Sequence, residues 1–535
     1  MNTTKQELKD PPAPKPGMDQ ALEGVFSEFV FDHPLLNNGS VYPHLHATTS
    51  DWEQTTLQQA QPYLPLKQDP INVTLGVQPL TTLALPAFKT VSLDKHLKYK
   101  RGYIINTGGS IQALDFAPKT SSIDTQPMIH YLAIGGYKEA NVLHSFETPR
   151  QGHQSCIQLW KCDLTTTPST EERNPLLDLV LLHDFGDARD LKWCPYGAYE
   201  EESTTDEDSA IAKLGILAGC FDDGTVRCLV VPHPDALRSR LGIDAGNRDP
   251  IYLKINHARC VFALPNTSVS TLSWGGHKKL AIGYSTGNIS IWNMEMALAT
   301  DHETHARDQH QSVRFMQSNT PVHDAGVQSI VWHGIEDPVN FVSTGNDGKL
   351  NALDIRDPST TINLAKTRVI QYDAIWAGYR NKIIFVDGDL NFKEFSPQDY
   401  KTFKSSNVIS YVTGAFASVA SSEQHSFLAL SSLDGILKLI NSCIIKVKGK
   451  PRQQKILYKL IYNEQGNVYR YVDGLKRQSL DETKAMSGAN NLLDHNISIN
   501  KVCWNHNSKT SAWVASGGSN GLCRLDFAGV GTQWD

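Results

Sequence analysis

With 535 residues, 40% of them hydrophobic, and 10 Trp, 18 Tyr and 18 Phe, the chain can bury a large core and divide into several domains. A formal net charge of −6 argues against a protein that coats nucleic acid unaided, so any DNA contact has to come from a local basic patch. The first residues are polar and Pro-rich without the apolar run of a secretory signal, and no uninterrupted apolar stretch is long enough to cross a bilayer.

In chain order, Met1–Asp19 reads as a disordered tail: polar, rich in Pro and without periodicity. Residues 20–98 carry apolar groups at irregular spacing among many prolines, which block long helices and interior strands. This segment is expected as an extended arm laid across a folded surface, with Trp52 and Tyr63 as its anchors and as candidate partner-binding residues. The remainder, 99–535, repeats one pattern. A short apolar strand often ends in Trp or Phe, a second strand of small and aliphatic residues follows, and a tight Gly turn leads to a third.

The pattern occurs seven times. The first copy takes Ile111–Pro118, Tyr131–Tyr137 and Cys156–Lys161, with the insertion Lys138–Ser155 in place of its turn. The next three span Ala188–Val231, Val269–Met294 and Val327–Ile355. A degenerate fifth uses Ala374–Gly378, Lys382–Val386 and Asn391–Phe395. The sixth is Val412–Val419, Phe427–Ser431 and Ile436–Ile440, and the seventh Ile499–Asn505, Ala512–Ser516 and Leu522–Phe527. Six of the seven hairpins place Gly at the turn (Gly224, Gly287, Gly348, Gly388, Gly435 and Gly521), mostly after Asp or Asn, residues that tolerate the positive φ of a hairpin turn. Repetition at this period predicts an all-β fold, a seven-bladed β-propeller with an extended N-terminal arm and long loop insertions.

Three copies carry a His nine or ten residues before the aromatic: His183 before Trp193, His323 before Trp332 and His495 before Trp504. Here the chain resembles the WD-repeat family, whose blades hold a His before the first strand, an Asp in the hairpin turn and a Trp in the third strand. Trp160 and Trp292 occupy that last position, whereas Leu229, Leu353 and Leu525 replace it elsewhere. These His are expected as hydrogen-bonded braces within blades. The last copy ends at its third strand, and an unpaired edge is a liability. Tyr99–Asn106 is expected to supply the missing strand and clasp the two halves of the chain.

The chemistry-bearing motifs are few. The nine Cys are scattered without a Cys-x-x-Cys pair, as for reduced thiols in an intracellular protein. His44 and His46 form a His-x-His pair without a third ligand at suitable spacing, and no nucleophile elbow, Walker loop or zinc-protease motif occurs. No cofactor, metal site or catalytic residue is expected. Two charged segments stand out. Glu200, Glu201 and Glu202 open a run through Asp208 between the first two strands of the second copy, a solvated loop and a candidate partner contact. Lys446, Lys448, Lys450, Arg452, Lys455 and Lys459 fall together without an acid between them, after the third strand of the sixth copy. The first five are the candidate DNA contacts, able to neutralise phosphates, on a segment expected to project from the ring. Tyr458, Tyr462, Tyr469 and Tyr471 follow at strand-like spacing, which suits packing better than base stacking.

Several stretches are more specific. Asn106-Thr107-Gly108-Gly109-Ser110-Ile111-Gln112-Ala113-Leu114-Asp115-Phe116-Ala117-Pro118 resembles the start of the propeller in the WD-repeat subunit of transcription factor IIIC. His183-Asp184-Phe185-Gly186 with Asp190-Leu191-Lys192-Trp193-Cys194-Pro195-Tyr196-Gly197-Ala198 is similar to that family's second blade, and Ile157-Gln158-Leu159-Trp160 and Pro62-Tyr63-Leu64-Pro65 fit as well. The likeness runs from about Trp52 to Phe527 and is most specific over the arm and first two blades. It implies a non-catalytic nuclear subunit of the complex that recognises internal promoters of transfer-RNA genes for RNA polymerase III. In that family the propeller belongs to the module on the B-box element and pairs with a second WD-repeat subunit and the large DNA-binding subunit. Other members tend to carry a basic amino-terminal extension, whereas Met1–Asp32 mixes both charges, which leaves the Lys446–Lys459 segment as the better DNA contact. The alternatives from the residues alone are a WD-repeat peptide or histone reader in another nuclear complex, and a propeller enzyme.

Overall fold

The computed structural model describes residues 40–66, 69–98, 100–123, 126–139, 153–165, 173–201, 210–244, 246–300, 313–368, 370–378, 381–386, 391–395, 407–411, 416–442, 453–479, 482 and 495–529. The tail expected over 1–19, the start of the arm and much of the expected insertions lie outside them.

Strands dominate the described residues, in which the longest helix is Pro234–Leu241. The repeats fold into antiparallel meanders, each read from its innermost strand. Ser110–Phe116, Ile129–Tyr137, Ser155–Asp163 and Leu176–His183 open the first sheet, and Ala188–Trp193, Lys213–Phe221, Val226–Pro232 and Cys260–Phe262 form the second. The third is Val269–Gly275, Lys279–Tyr284, Asn288–Asn293 and Met316–Pro321, and the fourth Val327–Trp332, Asn340–Gly345, Lys349–Asp354 and Thr361–Lys366. The fifth takes Ala374–Ala377, Lys382–Val386, Asn391–Phe395 and Asn407–Tyr411. The sixth begins with Phe416–Ala420, Phe427–Ser432, Ile436–Asn441 and Gln453–Asn463, and the seventh with Ile499–Trp504, Trp513–Gly518 and Leu522–Phe527. Each innermost strand lies against the next, and Ile499–Trp504 returns to Ser110–Phe116. The fold is all-β and propeller-like.

The turn glycines behave as the sequence predicts. Gly224, Gly287, Gly348, Gly435 and Gly521 have φ of 84°, 89°, 74°, 80° and 82°, a region open to Gly at no steric cost. Gly388 lies outside the described residues.

The aromatic at the end of the innermost strand has a defined task. The Trp193 indole donates to the Asp115 carbonyl at 3.2 Å, Trp274 to Lys192 at 3.0 Å and Trp332 to Ser273 at 3.2 Å. Each acceptor sits one residue before the corresponding aromatic of the preceding sheet, so each indole stitches its sheet to its neighbour. Trp160 and Trp292 are fully buried, their indoles held by Gln158 at 3.1 Å and Ser290 at 2.6 Å.

The three braces diverge. His323 binds Asp347 through Nδ1 at 3.0 Å and Ser343 through Nε2 at 2.9 Å, as a blade brace should. His183 is buried with no hydrogen-bond partner on either ring nitrogen. It stacks on Phe185 at 5.0 Å and meets the edge of Phe221 at 5.1 Å, so apolar packing replaces the expected bond. His495 is exposed, and it is its backbone carbonyl that accepts from Ser498 and Ser519.

The clasp forms. Gly102–Asn106 pairs antiparallel with Leu522–Phe527, Leu522 opposite Asn106 and Asp526 opposite Gly102. The arm is less irregular than expected. Trp52–Thr55 extends the first sheet beyond Ile251–Ile255, the hairpin Ile71–Leu75 and Thr81–Leu85 extends the sixth, and Thr90–Ser92 extends the seventh. Pro70, Pro79 and Pro86 flank these strands instead of interrupting them, and the added strands sit at sheet edges, where Pro nearby is tolerated.

Candidate functional site

The basic segment divides at the boundary of a strand. Lys446, Lys448, Lys450 and Arg452 lie outside the described residues. Lys455 is half-buried within Gln453–Asn463, opposite Leu439, and Lys459 is exposed, opposite Val472. Alternation along this strand decides what each side chain can do. Tyr458 and Leu460 turn to the core, where the Tyr458 hydroxyl meets Ser516 Oγ at 2.7 Å and its ring meets Tyr471 edge-on at 5.2 Å. Tyr462 packs on the buried Tyr469 at 4.7 Å. The tyrosines are packing residues, as their spacing predicts, and Lys459 and Ile461 occupy the solvent side. Sequence reading missed Arg470, exposed in the next strand, Val468–Val472, opposite Ile461. A single basic residue in an aromatic strand gives no local signal, and only the pairing joins it to the lysines.

The acidic segment begins inside the fold. The Glu200 carboxylate binds the buried Lys213 ammonium and lies 3.5 Å from His46 Nδ1, while Lys213 also donates to the Tyr42 carbonyl at 3.1 Å. Burial lowers the Lys213 pKa, and Glu200 is the group that opposes this. Glu201 is exposed and 3.1 Å from Lys119, whose ammonium lies 5.2 Å from the Tyr199 ring centre. Glu202 lies outside the described residues. Glu200 thus ties the arm to the second sheet, and Glu201 is the first of the run to face solvent.

Trp52 and Tyr63 are buried, 5% and 6% exposed, within this chain's own fold. Trp52 pairs with Ile255, and Tyr63 ends the short turn Gln61–Tyr63 with Lys254 above its ring at 5.9 Å. Hydrogen bonding to the Tyr63 hydroxyl raises the Lys254 pKa. Both side chains anchor the arm and present little surface to another molecule. His44 is exposed and His46 half-buried beside Glu200, and among the described residues no group of three His, Cys, Asp or Glu could hold a metal. Eight cysteines, all buried and unbridged, are described; burial raises their thiol pKa values.

The innermost strands carry a second polar constellation. Asp115 accepts from the Trp193 amide at 2.8 Å and meets His506 Nε2 at 3.1 Å, and Lys501 donates to Asp190 at 3.0 Å. Burial alone would raise the Asp115 pKa; Lys192, His506 and the Trp193 amide outweigh it and lower the value. Each of these bonds joins one sheet to another, and so serves the ring.

No family model matches the chain. It is 25% identical over 439 residues to "Transcription factor tau subunit sfc6" of Schizosaccharomyces pombe, covering 80% of this chain and 65% of that protein. It is 27% identical over 292 residues to "General transcription factor 3C polypeptide 2" of Homo sapiens, covering 50% of this chain and 30% of that protein. Against "Transcription factor tau 91 kDa subunit" of Saccharomyces cerevisiae the identity is 22% over 449 residues, covering 80% and 58%. The chain thus spans less than two thirds of the length of each. Among solved structures, a chain of the mitotic checkpoint complex superposes with a TM-score of 0.40 at 11% identity, covering 74% of this chain and 84% of that one. The resemblance to the WD-repeat subunit of transcription factor IIIC expected from the arm and first two blades is shown by these relatives.

Proposed function

We propose that this relative of the transcription factor tau and 3C subunits is a non-catalytic scaffold of transcription factor IIIC, acting in the nucleus. Its seven copies form a seven-bladed ring over 99–535, with a tail at 1–19 and an arm over 20–98 packed on the ring. Loops from different blades of one rigid body can meet several partners at once. Those partners are the second WD-repeat subunit and the large B-box-binding subunit. Through them the chain supports B-box recognition and RNA polymerase III transcription of transfer-RNA genes. Its own DNA contact is minor, made by Lys446, Lys448, Lys450, Arg452 and Lys455 with the phosphate backbone, and Glu201 and Glu202 offer a separate protein contact.

The observation that carries this reading is the similarity to a tau subunit over 80% of the chain. Affinity purification of the tagged chain from nuclear extract tests it. Recovery of the other transcription factor IIIC subunits is the expected result. Recovery of histones or a ubiquitin ligase without them would replace it with the peptide-reader alternative.

A further inference from the structure

The sixth sheet is where the molecule gathers exposed positive charge from separate parts of the chain. Lys459 stands on the solvent side of Gln453–Asn463, and a register shift between Tyr458 and Ile456 turns Lys455, opposite Leu439, to the other face. Arg470 joins that face from the neighbouring strand, because Ile461 pairs with Arg470 and Lys459 with Val472. The chain then doubles back: Val472 lies opposite Lys459 and Gln478 opposite Gln454, so the connection between them runs beside Lys455–Tyr458 and brings Lys476 and Arg477 alongside. Lys459, Arg470 and Lys476 are exposed, and Arg477 is half-buried.

The nearby carboxylates are turned away or lie at the border. Asp473 points inward to Arg524 and Lys100, Asp434 binds the Ser432 hydroxyl, and Glu482 binds the Ser479 amide. Glu464 belongs to the turn at the far end of the hairpin. A chain with a net charge of −6 therefore keeps a positive strip on one sheet. The aromatic side chains of the same strands do not share it. Tyr458, Tyr469 and Tyr471 are buried, so the strip offers charge without a stacking platform.

The geometry points to a phosphate-backbone site for duplex DNA on the outer part of the sixth sheet, built from Lys459, Arg470, Lys476 and Arg477. It rests on the promoter-bound reading above and extends that reading's single-loop contact to a surface assembled from three segments. Double-stranded backbone is the ligand the chemistry selects: fixed positive charges position a duplex without reading its sequence, whereas single strands need exposed rings.

The test uses the full chain and a fluorescent duplex of random sequence, with binding followed by anisotropy between about 50 and 200 mM salt. The variant Lys459→Glu, Arg470→Glu, Lys476→Glu should bind at least about tenfold more weakly, with a salt dependence flatter by about 1 per residue changed. The corresponding Gln variants, which keep the fold if charge reversal does not, should show the same direction. Control reversals at Arg356 and Lys366, on the fourth sheet, should leave binding unchanged. Unaltered affinity and slope in the sixth-sheet variants, tighter binding of a single strand than of the duplex, or loss of a protein subunit with DNA binding intact would each overturn the site. Failure of the wider reading is separately visible, because the unaltered chain would then not recover the other subunits.

Discussion

Arg524 and Asp473 meet with Nη2 2.6 Å from Oδ1, and the two side chains are 0% and 2% exposed. The guanidinium belongs to the strand that receives the clasp and the carboxylate to the end of an outer strand of the sixth sheet. Asp526 and Lys100 complete the group, and the guanidinium lies 4.4 Å and 4.9 Å from the rings of Tyr458 and Tyr471. Three segments, including the stretch just before the clasp strand, therefore share one buried network. Arg524→Ala leaves two buried carboxylates facing Lys100 alone and should destabilise the chain by about 3–5 kcal/mol. Urea unfolding at neutral pH measures it, and a loss below about 1 kcal/mol would show the network to be dispensable.

The same network makes an acid prediction. Burial pushes the Asp473 carboxyl up, but Arg524 and Lys100 outweigh it and hold the pKa down at about 2. A folded value below the unfolded one, near 3.9, means the stabilisation is complete above about 3.9 and is lost as pH falls through about 2. Asp473→Asn should lower stability at pH 7 and flatten the decline below about pH 4. Parallel acid melts of the two chains would expose an error in this assignment if their slopes coincide.

Equivalent histidines should respond oppositely to the same change. His323→Leu strips Asp347 and Ser343 of a partner and should cost about 1–3 kcal/mol. His183→Leu removes only a packed ring and should stay within about 1 kcal/mol at pH 7. Burial first, and then Arg227, lower the His183 pKa to about 3. Its neutral form is thus favoured on folding, and stability falls as pH drops from about 6.5 toward 3. At pH 5 the Leu variant should gain roughly 2 kcal/mol relative to the parent. Thermal melts at both pH values decide it.

Indole stitching predicts a difference between two similar substitutions. Trp274→Phe and Trp504→Phe remove comparable ring volume, but only Trp274 donates, to Lys192, while the buried Trp504 nitrogen has no partner. Trp274→Phe should be the more damaging by about 1–2 kcal/mol. Equal melting temperatures would reduce the stitches to incidental contacts.

Glu200 and Glu201 are neighbours with unlike roles. Glu200→Ala leaves the Lys213 ammonium buried without its carboxylate and should open the arm to protease around Tyr42. Glu201→Ala breaks one exposed pair and should shift stability by less than about 1 kcal/mol. Limited proteolysis followed by mass mapping distinguishes them.

Repeats, turns and inner strands were legible in the sequence because alternation and Asp-Gly or Asn-Gly turns are local signals. Asn346-Asp347-Gly348 is one such turn, and its Gly348 has the positive φ it implies. The fate of His183 was legible only with register. Trp193 pairs with Leu217 as Trp332 pairs with Phe341. That alignment puts Gly219 where Ser343 stands and Phe221 where Gly345 stands, so the hydroxyl is missing and a ring fills the space. Partners of edge strands were not legible at all. Ile251–Ile255 leaves the second repeat to run parallel with Leu176–His183, and nothing in its five residues specifies that neighbour. The basic face of the sixth sheet was half-visible for the same reason, since Arg470 joins Lys459 only through pairing.

The clasp has a kinetic corollary. Gly102–Asn106 leaves the ribosome more than 400 residues before Leu522–Phe527, the strand it must join. Until synthesis has passed that point, the early segment carries unsatisfied amide and carbonyl groups, and the assembly cannot close. Biogenesis of this chain should therefore depend on chaperones that shield a waiting edge, and premature termination upstream of Leu522 should yield aggregate in place of a smaller soluble ring.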